Sequence, residues 1–439
     1  MTDSHITDLA PSTLTKNLFT VFTGNISAAA IGFLTILIIS RMLTVNDFGL
    51  FNLAISFMLI GSAVSALGMQ TPMVKFVSSY LAVQKTAEAN HVLKITLAVR
   101  MITGVLLAFI AFNTAEIIST KVYNYPDLTP LLKVASFGII GVTIFNYMRS
   151  ALHAYHLFKW SVILQILVDI GKLSITVVLI FLLGRLDASA AVTAFAVAPI
   201  LGFFLGLWRL RNSLMLQKNA VFSIVGRLFS YSKWTFLANA CNMAFRFTGI
   251  FMLAKMSGSE AVGTYGLAVN LTLIFPIVIS SLIAVLLPRV SRFREIQQFK
   301  DYYKVSLIIS LCLGAPTIMF LFVSHKIIPF FFGLKYYDSI HVFNWLLLSA
   351  LMLAANSTMR IALYSTNKPN IVAAVNLLRL LGMVIGCYLL IPLLGTLAPA
   401  VLSLFLNAAV LIFNSRYVFS HIHSGDIEFI EEEELIETY

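Results

Sequence analysis

The chain has 439 residues, of which 59% are hydrophobic and 11% are charged. Soluble domains carry about 25% charged residues, so this chain has too few charged side chains to cover an aqueous surface. Lipid is therefore its expected solvent, and no stretch is polar and long enough to form a separate soluble catalytic domain. The three cysteines lie in apolar segments without metal-ligand spacing, which indicates small core residues.

Apolar segments long enough to cross a bilayer, about 20 residues each, recur along the whole chain. We predict an all-α polytopic membrane protein with about twelve transmembrane helices. The predicted helices are 17–40, 48–70, 91–115, 131–152, 160–183, 189–210, 232–255, 262–287, 302–325, 339–364, 370–391 and 395–416. No small-residue cleavage site follows the first of them, so we expect it to be retained and not removed as a signal peptide.

The fifth predicted helix carries a polar stripe on an otherwise apolar cylinder. Its members recur every three or four residues, which places them on one helix face; they are Ser161, Gln165, Asp169, Lys172 and Thr176. A charge at a helix centre costs about 2.5–3.5 kcal/mol on insertion scales, so Asp169 and Lys172 need a reason to be there. Their i, i+3 spacing allows an ion pair within the helix; the alternative is substrate binding by Lys172 with gating or coupling by Asp169.

Polar stripes also occur on other predicted helices. The first has Asn25, Gly32 and Thr35, the seventh has Thr235, Asn239, Asn242, Arg246 and Gly249, and the eleventh has Asn376 and Arg379. Facing lipid would leave these groups without partners, so we expect them to line a central cavity of net positive charge. Arginine presents a fork of donors that suits phosphate, whereas asparagine also serves as a hydrogen bond between helices. The predicted substrate-binding residues are Arg246, Arg379, Lys172, Asn25, Asn239, Asn242 and Asn376.

The chain consists of two similar halves. At an offset of 214 residues the segment 41–55 falls without gaps on 255–269, and at an offset of 211 Gly184 falls on Gly395. We therefore predict two pseudo-symmetric six-helix lobes around the cavity, in a parallel repeat whose halves rock about a site between them. The predicted divisions are a cytoplasmic N-terminus (1–16), a first lobe (17–210), a basic amphipathic linker (211–231), a second lobe (232–416) and an acidic tail (417–439).

Basic residues are distributed unevenly along the chain. If both termini face the cytoplasm, that side holds 20 of the 30 Lys and Arg residues, the outside loops hold 7, and helix interiors hold 3, namely Lys172, Arg246 and Arg379. The positive-inside rule then predicts cytoplasmic N- and C-termini. The tail from Asp426 onward carries seven of the nineteen acids and no Lys or Arg, so the remaining chain is more basic than the net charge of +11 indicates.

Several functional classes fit the sequence poorly. No Walker sequence and no metal-ligand spacing occur, so we expect no cofactor and no direct use of ATP. A drug or cation antiporter would need acidic residues in its cavity, where cations outnumber acids here. A membrane polysaccharide polymerase or glycosyltransferase would need a substantial outside loop, and the longest (116–133 and 326–338) are short.

Short motifs connect the chain to a transporter family. The stretch from Arg41 to Phe51, then Leu67-Gly68 and the stretch from Lys75 to Leu81, resemble the first hairpin of polysaccharide exporters. These are the O-antigen flippases of the multidrug/oligosaccharidyl-lipid/polysaccharide (MOP) superfamily. In the second half, Gly314-Ala315-Pro316 and Phe332 to Tyr336 are similar to that family as well.

This resemblance implies a function. It implies flipping of an undecaprenyl-pyrophosphate-linked oligosaccharide from the cytoplasmic to the periplasmic leaflet of the cell inner membrane by alternating access. The implied partners are this lipid-linked substrate, membrane lipids, and polymerase and chain-length components of the same pathway; no nucleic acid is expected. The first helix carries only Asn25 where the related lipid II flippases place charged residues.

Overall fold

The computed structural model describes residues 11–215, 223–273, 275, 314–315, 317–365 and 369–424, with side chains in somewhat shorter ranges. Every regular element in these ranges is a helix, which confirms the predicted all-α fold. Some predictions fall outside the described residues. They concern the N-terminal residues 1–10, linker residues 216–222, the segment 276–313 and the acidic tail from 425 onward.

Thirteen α-helices lie in the described part of the chain, together with a π-helix (Ile118–Val122) and two short 3-10 helices (Leu334–Tyr336 and Gly395–Leu397). The α-helices are α1 (Pro11–Met42), α2 (Val45–Ser65), α3 (Gln70–Ala82), α4 (Thr86–Ile117), α5 (Leu128–Ala154), α6 (Phe158–Leu183), α7 (Ala188–Met215), α8 (Ser223–Met256), α9 (Ser259–Leu271), α10 (Thr317–Phe332), α11 (Ser339–Ser365), α12 (Pro369–Leu394) and α13 (Ala398–Ser424). Nine of the described segments are long and apolar enough to cross a membrane, and the last, 372–417, comprises α12 and most of α13. The predicted helices 262–287 and 302–325 lie partly outside the described residues, so the count of twelve stays a prediction.

Two element boundaries differ from those predicted. The second predicted helix ran to residue 70, whereas α2 ends at Ser65 because Leu67 (φ 46°) and Gly68 (φ 66°) adopt left-handed backbone conformations. The chain then forms the short helix α3, which was not predicted. The predicted linker 211–231 is largely helical where it is described, because α7 continues to Met215 and α8 begins at Ser223.

Large apolar side chains cover much of the outer surface. Among the most exposed are Ile102, Phe109, Phe181, Leu182, Phe204, Phe322, Phe330, Leu378, Tyr388 and Phe405. Contiguous exposure of such side chains marks a surface that contacts lipid, and helices satisfy all their backbone hydrogen bonds internally, as a bilayer requires. The chain is therefore a multi-pass membrane protein.

The described chain forms two compact units, Met1–Leu267 and Ala268–Tyr439. In the first, α5 packs against α2, α4 and α7, and α1 packs against α6. An apolar cluster from α3, α4, α5, α6 and α7 forms much of its core, with Met73, Leu93, Tyr147 and Leu164 among its buried members. In the second unit, α13 packs against both α11 and α12.

The ends of the helices recur at the offsets found in the sequence. Offset 214 relates the end of α1 at Met42 to the end of α8 at Met256, and the start of α2 at Val45 to the start of α9 at Ser259. Offset 211 relates both ends of α5 to those of α11, and both ends of α6 to those of α12. Gly184 and Gly395, paired by this offset, each take a left-handed conformation (φ 69° and 55°) directly after a helix. The ends of these helices thus follow both offsets of the sequence repeat, while the division into two six-helix lobes stays a prediction.

Repeat-related glycines bring α2 and α9 into close contact. A Cβ atom on Gly49 would lie 1.8 Å from the carbonyl oxygen of Ser259, and one on Gly263 would lie 2.1 Å from that of Val45. The Ser259 hydroxyl also donates a hydrogen bond to the side chain of Asn46. The two helix N-termini therefore touch through their backbones, in the way small residues permit in membrane proteins.

We expect Gly49→Ala to destabilise the protein and Gly32→Ala not to. The added methyl at residue 49 would overlap backbone, which cannot move aside as a side chain can, and overpacking of this kind costs about 1–3 kcal/mol or more. No atom lies within 4 Å of a Cβ built on Gly32, and alanine is the better helix former there. Apparent melting temperatures of the detergent-purified variants test this; equal values for both variants would contradict the close contact.

Candidate functional site

Three polar side chains of α6 form a connected group in the first unit. The Lys172 ammonium donates to Oδ1 of Asp169 at 2.7 Å, and the side-chain amide of Gln165 donates to Oδ2 at 2.7 Å. The positions are one helical turn apart, which is why the side chains meet. The intrahelical ion pair that the spacing allowed is therefore formed, and both carboxylate oxygens are occupied.

Aromatic and basic groups of neighbouring helices surround this ion pair. The Lys172 nitrogen lies 5.2 Å from the centroid of the Phe195 ring on α7. Arg149 on α5 interacts electrostatically with Asp169, and its guanidinium carbon lies 6.0 Å from the centroid of the Phe145 ring. Lys172 pairs with Asp169, and Arg149 adds a further positive charge to this region.

A second polar group lies in the second unit and joins three helices. Nη1 of Arg379 on α12 donates to the side-chain oxygen of Asn407 on α13 at 3.2 Å, and the nitrogen of the same amide donates to Ser349 on α11 at 2.9 Å. All three residues are buried, with at most 4% of each exposed. The neutral amide of Asn407 orients the guanidinium and leaves its positive charge in place.

The first half of the chain packs the same helix crossing without polar groups. Offset 211 relates Ser349 to Gly138 and Asn407 to Ala196, and a Cβ on Gly138 would lie 3.1 Å from the Ala196 Cβ. The residue related to Arg379 is Val168, which is buried in the apolar core. The fold therefore does not require the arginine, asparagine and serine of the second half, which suggests that they serve a different purpose.

Two turns along the same helices, a further polar pair joins α11 to α13. The Asn414 side chain donates to that of Asn356 at 2.6 Å, and both are buried. The repeat-related residues, Phe203 and Phe145, belong to the apolar core of the first unit. An amide pair of this kind is a typical hydrogen bond between membrane helices.

The predicted stripe on α8 is exposed in part, and its member Gly249 is buried. Asn239, Asn242 and Arg246 are all exposed, whereas Cys241 and Phe245 between them are buried. The Arg246 guanidinium carbon lies 5.6 Å from the centroid of the Phe247 ring. The binding role of these three side chains stays a prediction.

The remaining predicted residues lie in different surroundings. Asn25 on α1 is half-buried, and Asn376 on α12 is buried three residues before Arg379. Of the predicted site residues, a direct hydrogen bond brings together Asp169 and Lys172. In the described residues, no group of three or more His, Cys, Asp or Glu side chains is placed to hold a metal ion.

Sequence reasoning missed several of these residues. Asn407 and Ser349 were not selected, although each precedes another polar residue (Asn414 and Asn356) by seven positions, the two-turn spacing of a shared helix face. Arg100 was counted with the loop cations, which is wrong. It lies in the middle of α4 and is 1% exposed, and its position ten residues into the predicted helix 91–115 was the available signal.

Comparison with known proteins places the chain in a family. A family model described as "Polysaccharide biosynthesis protein" matches residues 14–294. A putative O-antigen transporter of Shigella flexneri is 21% identical over 225 residues, which make up 51% of this chain and 54% of the relative. The chain thus spans about half the length of that relative.

Solved structures share the fold at low sequence identity. An inward-facing multidrug resistance MATE family transporter of the MOP superfamily superposes with a TM-score of 0.73 at 12% identity, over 91% of this chain and 98% of that one. The lipid II flippase MurJ in an inward closed conformation gives 0.72 at 14% identity, over 92% and 89%. These comparisons confirm the resemblance drawn from the sequence. Because the family model covers well over half of its length, the chain belongs to the polysaccharide biosynthesis protein family and has the fold of MOP-superfamily transporters.

Proposed function

We propose that this protein is a flippase that moves an undecaprenyl-pyrophosphate-linked oligosaccharide from the cytoplasmic to the periplasmic leaflet of the inner membrane. The observation that carries the proposal is the buried Arg379, held by Asn407 at a helix crossing that the first half of the chain packs with apolar residues. A fixed guanidinium suits the diphosphate of such a lipid. The names of the O-antigen transporter and of the lipid II flippase point to the same substrate class.

In this proposal the basic residues bind the anionic part of the substrate. Arg379 and Arg246 contact the diphosphate or an acidic sugar, and Lys172 contributes a point charge. The accessible Asn239 and Asn242, with Asn25 and Asn376, contact the sugars. Asp169 balances the charge of Lys172 and gates transport. The two lobes, 17–210 and 232–416, expose these groups to each side of the membrane in turn. Both termini lie in the cytoplasm.

A cation or drug antiporter is the alternative that the structural comparisons raise, since MATE transporters share the fold. Such a carrier needs a carboxylate that is free to attract a cation. Asp169 is a buried carboxylate at mid-helix, but its two oxygens already accept from Lys172 and Gln165, which favours an anionic substrate. The polymerase or glycosyltransferase alternative loses support because the relatives carry the names of transporters.

Deletion of the gene tests the proposed function directly. We expect lipid-linked repeat units to accumulate on the cytoplasmic leaflet of the deletion strain, because assembly continues while transport stops. Inside-out and right-side-out vesicles, treated with an impermeant glycosidase or lectin, measure on which side the units lie. Single repeat units displayed on the outside of the deletion strain would instead indicate a polymerase, and normal polysaccharide would exclude a role in this pathway.

A further inference from the structure

Arg100 lies at the centre of the α4 face that is buried in the first unit. The other buried residues of this face are small or uncharged: Ala89, Val92, Leu93, Thr96, Gly104, Ala108, Ala111 and Ala115. The Arg100 side chain is 1% exposed, and none of its three guanidinium nitrogens has a hydrogen-bond partner in the described structure. Its guanidinium carbon lies 5.9 Å from the centroid of the Tyr147 ring.

The surroundings of Arg100 give its charge little compensation. The hydroxyl of Tyr147 donates its proton to the carbonyl of Leu93 at 2.9 Å, which leaves the aromatic ring as a weak partner for the cation. An arginine cannot lose its proton in a protein, and an uncompensated buried charge is strongly unfavourable. The buried Arg100 therefore lowers the stability of the protein in this conformation. An anion that pairs with Arg100 in another conformation would explain why the arginine is present.

A short helix packs against α4. α3 has 13 residues, too few to cross a bilayer, and it packs against α4 and α5. Its Met73 and Val77 are fully buried in the same apolar cluster as Tyr147. The turn that joins it to α2 holds Leu67 at φ 46°, a conformation that is unfavourable for a branched side chain. A movement of α3 at this turn would not interrupt a spanning helix.

We propose that Arg100 binds a phosphate or diphosphate group, and that it becomes accessible when α3 moves at the Leu67–Gly68 turn. The guanidinium fork matches two oxygens of a phosphate. Lys75 lies on α3, Lys85 directly precedes α4, and Lys94 lies in the first turns of α4. These three lysines attract anions to this end of the unit. The phosphate group belongs either to the headgroup of a lipid-linked substrate, which rests on the function proposed above, or to a free anion, which does not.

Thermal stability of the purified protein tests the site and separates the two sources. Arg100→Met is compared with wild type and with Arg185→Met, which removes an exposed loop arginine. Inorganic pyrophosphate and farnesyl diphosphate serve as probes, with farnesol as the uncharged control. We expect the diphosphates to raise the apparent melting temperature of wild type and Arg185→Met by about 3 °C or more at saturation, and this rise to be lost in Arg100→Met.

Without ligand, Arg100→Met should be at least as stable as wild type, because the variant removes a buried charge and keeps most of the side-chain volume. If only farnesyl diphosphate raises the melting temperature, the ligand is the headgroup of a lipid. If both probes raise it equally, a free anion is sufficient. A less stable Arg100→Met would show that the arginine is structural, and the proposal would fail. It would fail as well if the variant kept the full rise, or if neither diphosphate stabilised wild type.

Labelling of a buried cysteine tests the movement of α3. Val77→Cys is made in a protein whose Cys241, Cys312 and Cys387 are replaced by alanine, and its reaction with a maleimide is timed. We expect the effective diphosphate to accelerate labelling at residue 77 and to leave Ala115→Cys, buried near the other end of α4, unchanged. An unchanged rate at residue 77 would overturn the movement. Flipping in cells that express Arg100→Met would overturn the headgroup site and leave the proposed function intact.

Discussion

Replacing the polar group of the second unit with apolar residues is expected to reduce transport strongly and to preserve the fold. The variant combines Arg379→Met, Asn407→Leu and Ser349→Ala, which removes the charge and both hydrogen bonds together. Replacement of buried, paired polar residues by apolar residues of similar volume is often neutral or stabilising, and the first half shows that this crossing packs well with Gly138, Val168 and Ala196. The triple variant should therefore accumulate in the membrane at wild-type level.

Transport by the triple variant should fall by about 30-fold or more, since loss of one hydrogen bond from a charged group to a buried anion costs about 2–3 kcal/mol. Surface polysaccharide, normalised to the amount of protein in the membrane, measures the effect. Arg379→Lys should retain part of the activity, because lysine keeps the charge but lacks the planar fork. Arg379→Met alone should be less stable than the triple variant, because it leaves the Asn407 oxygen without its donor.

The matched control removes the polar pair two turns away. In Asn356→Leu with Asn414→Leu the same two helices lose one buried amide hydrogen bond and no charge. We expect this double variant to transport normally, with a change in stability of about 1 kcal/mol. If the triple variant transported as wild type does, or if the control lost transport equally, Arg379 would have a structural role and would not be a substrate ligand.

The helices and the internal repeat were predictable because both depend on local sequence. Long apolar segments identify the membrane-spanning helices by their length alone. Gapless matches such as Gly49 with Gly263 give the offset of the repeat, and the helix ends recur at that offset. The end of α2 at Ser65 was less visible, because Leu67 gives no sequence signal for a left-handed conformation. α3 was missed for a different reason, because its 13 residues are too few and too polar to be recognised as a transmembrane segment.

The candidate site was predictable only where its members share one helix. Asp169 and Lys172 meet because they are one turn apart, which the sequence states directly. The bond from Arg379 to Asn407 joins two helices and depends on their packing register, which no periodicity within either helix reports. The seven-residue spacing of Asn407 and Asn414 indicates a shared helix face but not the residue that either contacts, so only the structure identifies Arg379 as the partner of Asn407.

The charged residues differ between the two halves, and this difference indicates their role. Each half carries its charged group where the other has an apolar residue: Lys172 is related by offset 211 to Met383, and Arg379 to Val168. Two copies of one fold thus show that neither group is needed for folding. The two charged groups have therefore diverged between the halves, as binding of an asymmetric substrate, with a charged linkage at one end and sugars at the other, would require.

The ion pair of the first unit should respond to mutation in a way that separates folding from transport. We expect Asp169→Asn and Lys172→Met each to lower the amount of folded protein, because removal of one member of a buried pair leaves the other charge uncompensated. This costs about 3–5 kcal/mol for fully buried pairs, and about the lower figure is expected here because 19% of the Lys172 side chain is exposed. The double variant removes both charges and should recover the wild-type amount.

The double variant should nevertheless lack transport. Residue 172 then no longer supplies a positive charge to the substrate, and residue 169 no longer provides the carboxylate that controls this charge. Folding should tolerate the change, since Leu380 and Met383 occupy the related positions of the second half. Membrane protein level and surface polysaccharide are measured in the same cells. Thr176→Val is the matched control, because this hydroxyl bonds the backbone carbonyl of Lys172 at 2.8 Å within the same helix and carries no charge. If the double variant transported as wild type does, the two charges would serve only to neutralise one another. Recovered folding without transport would assign both charges to the transport cycle.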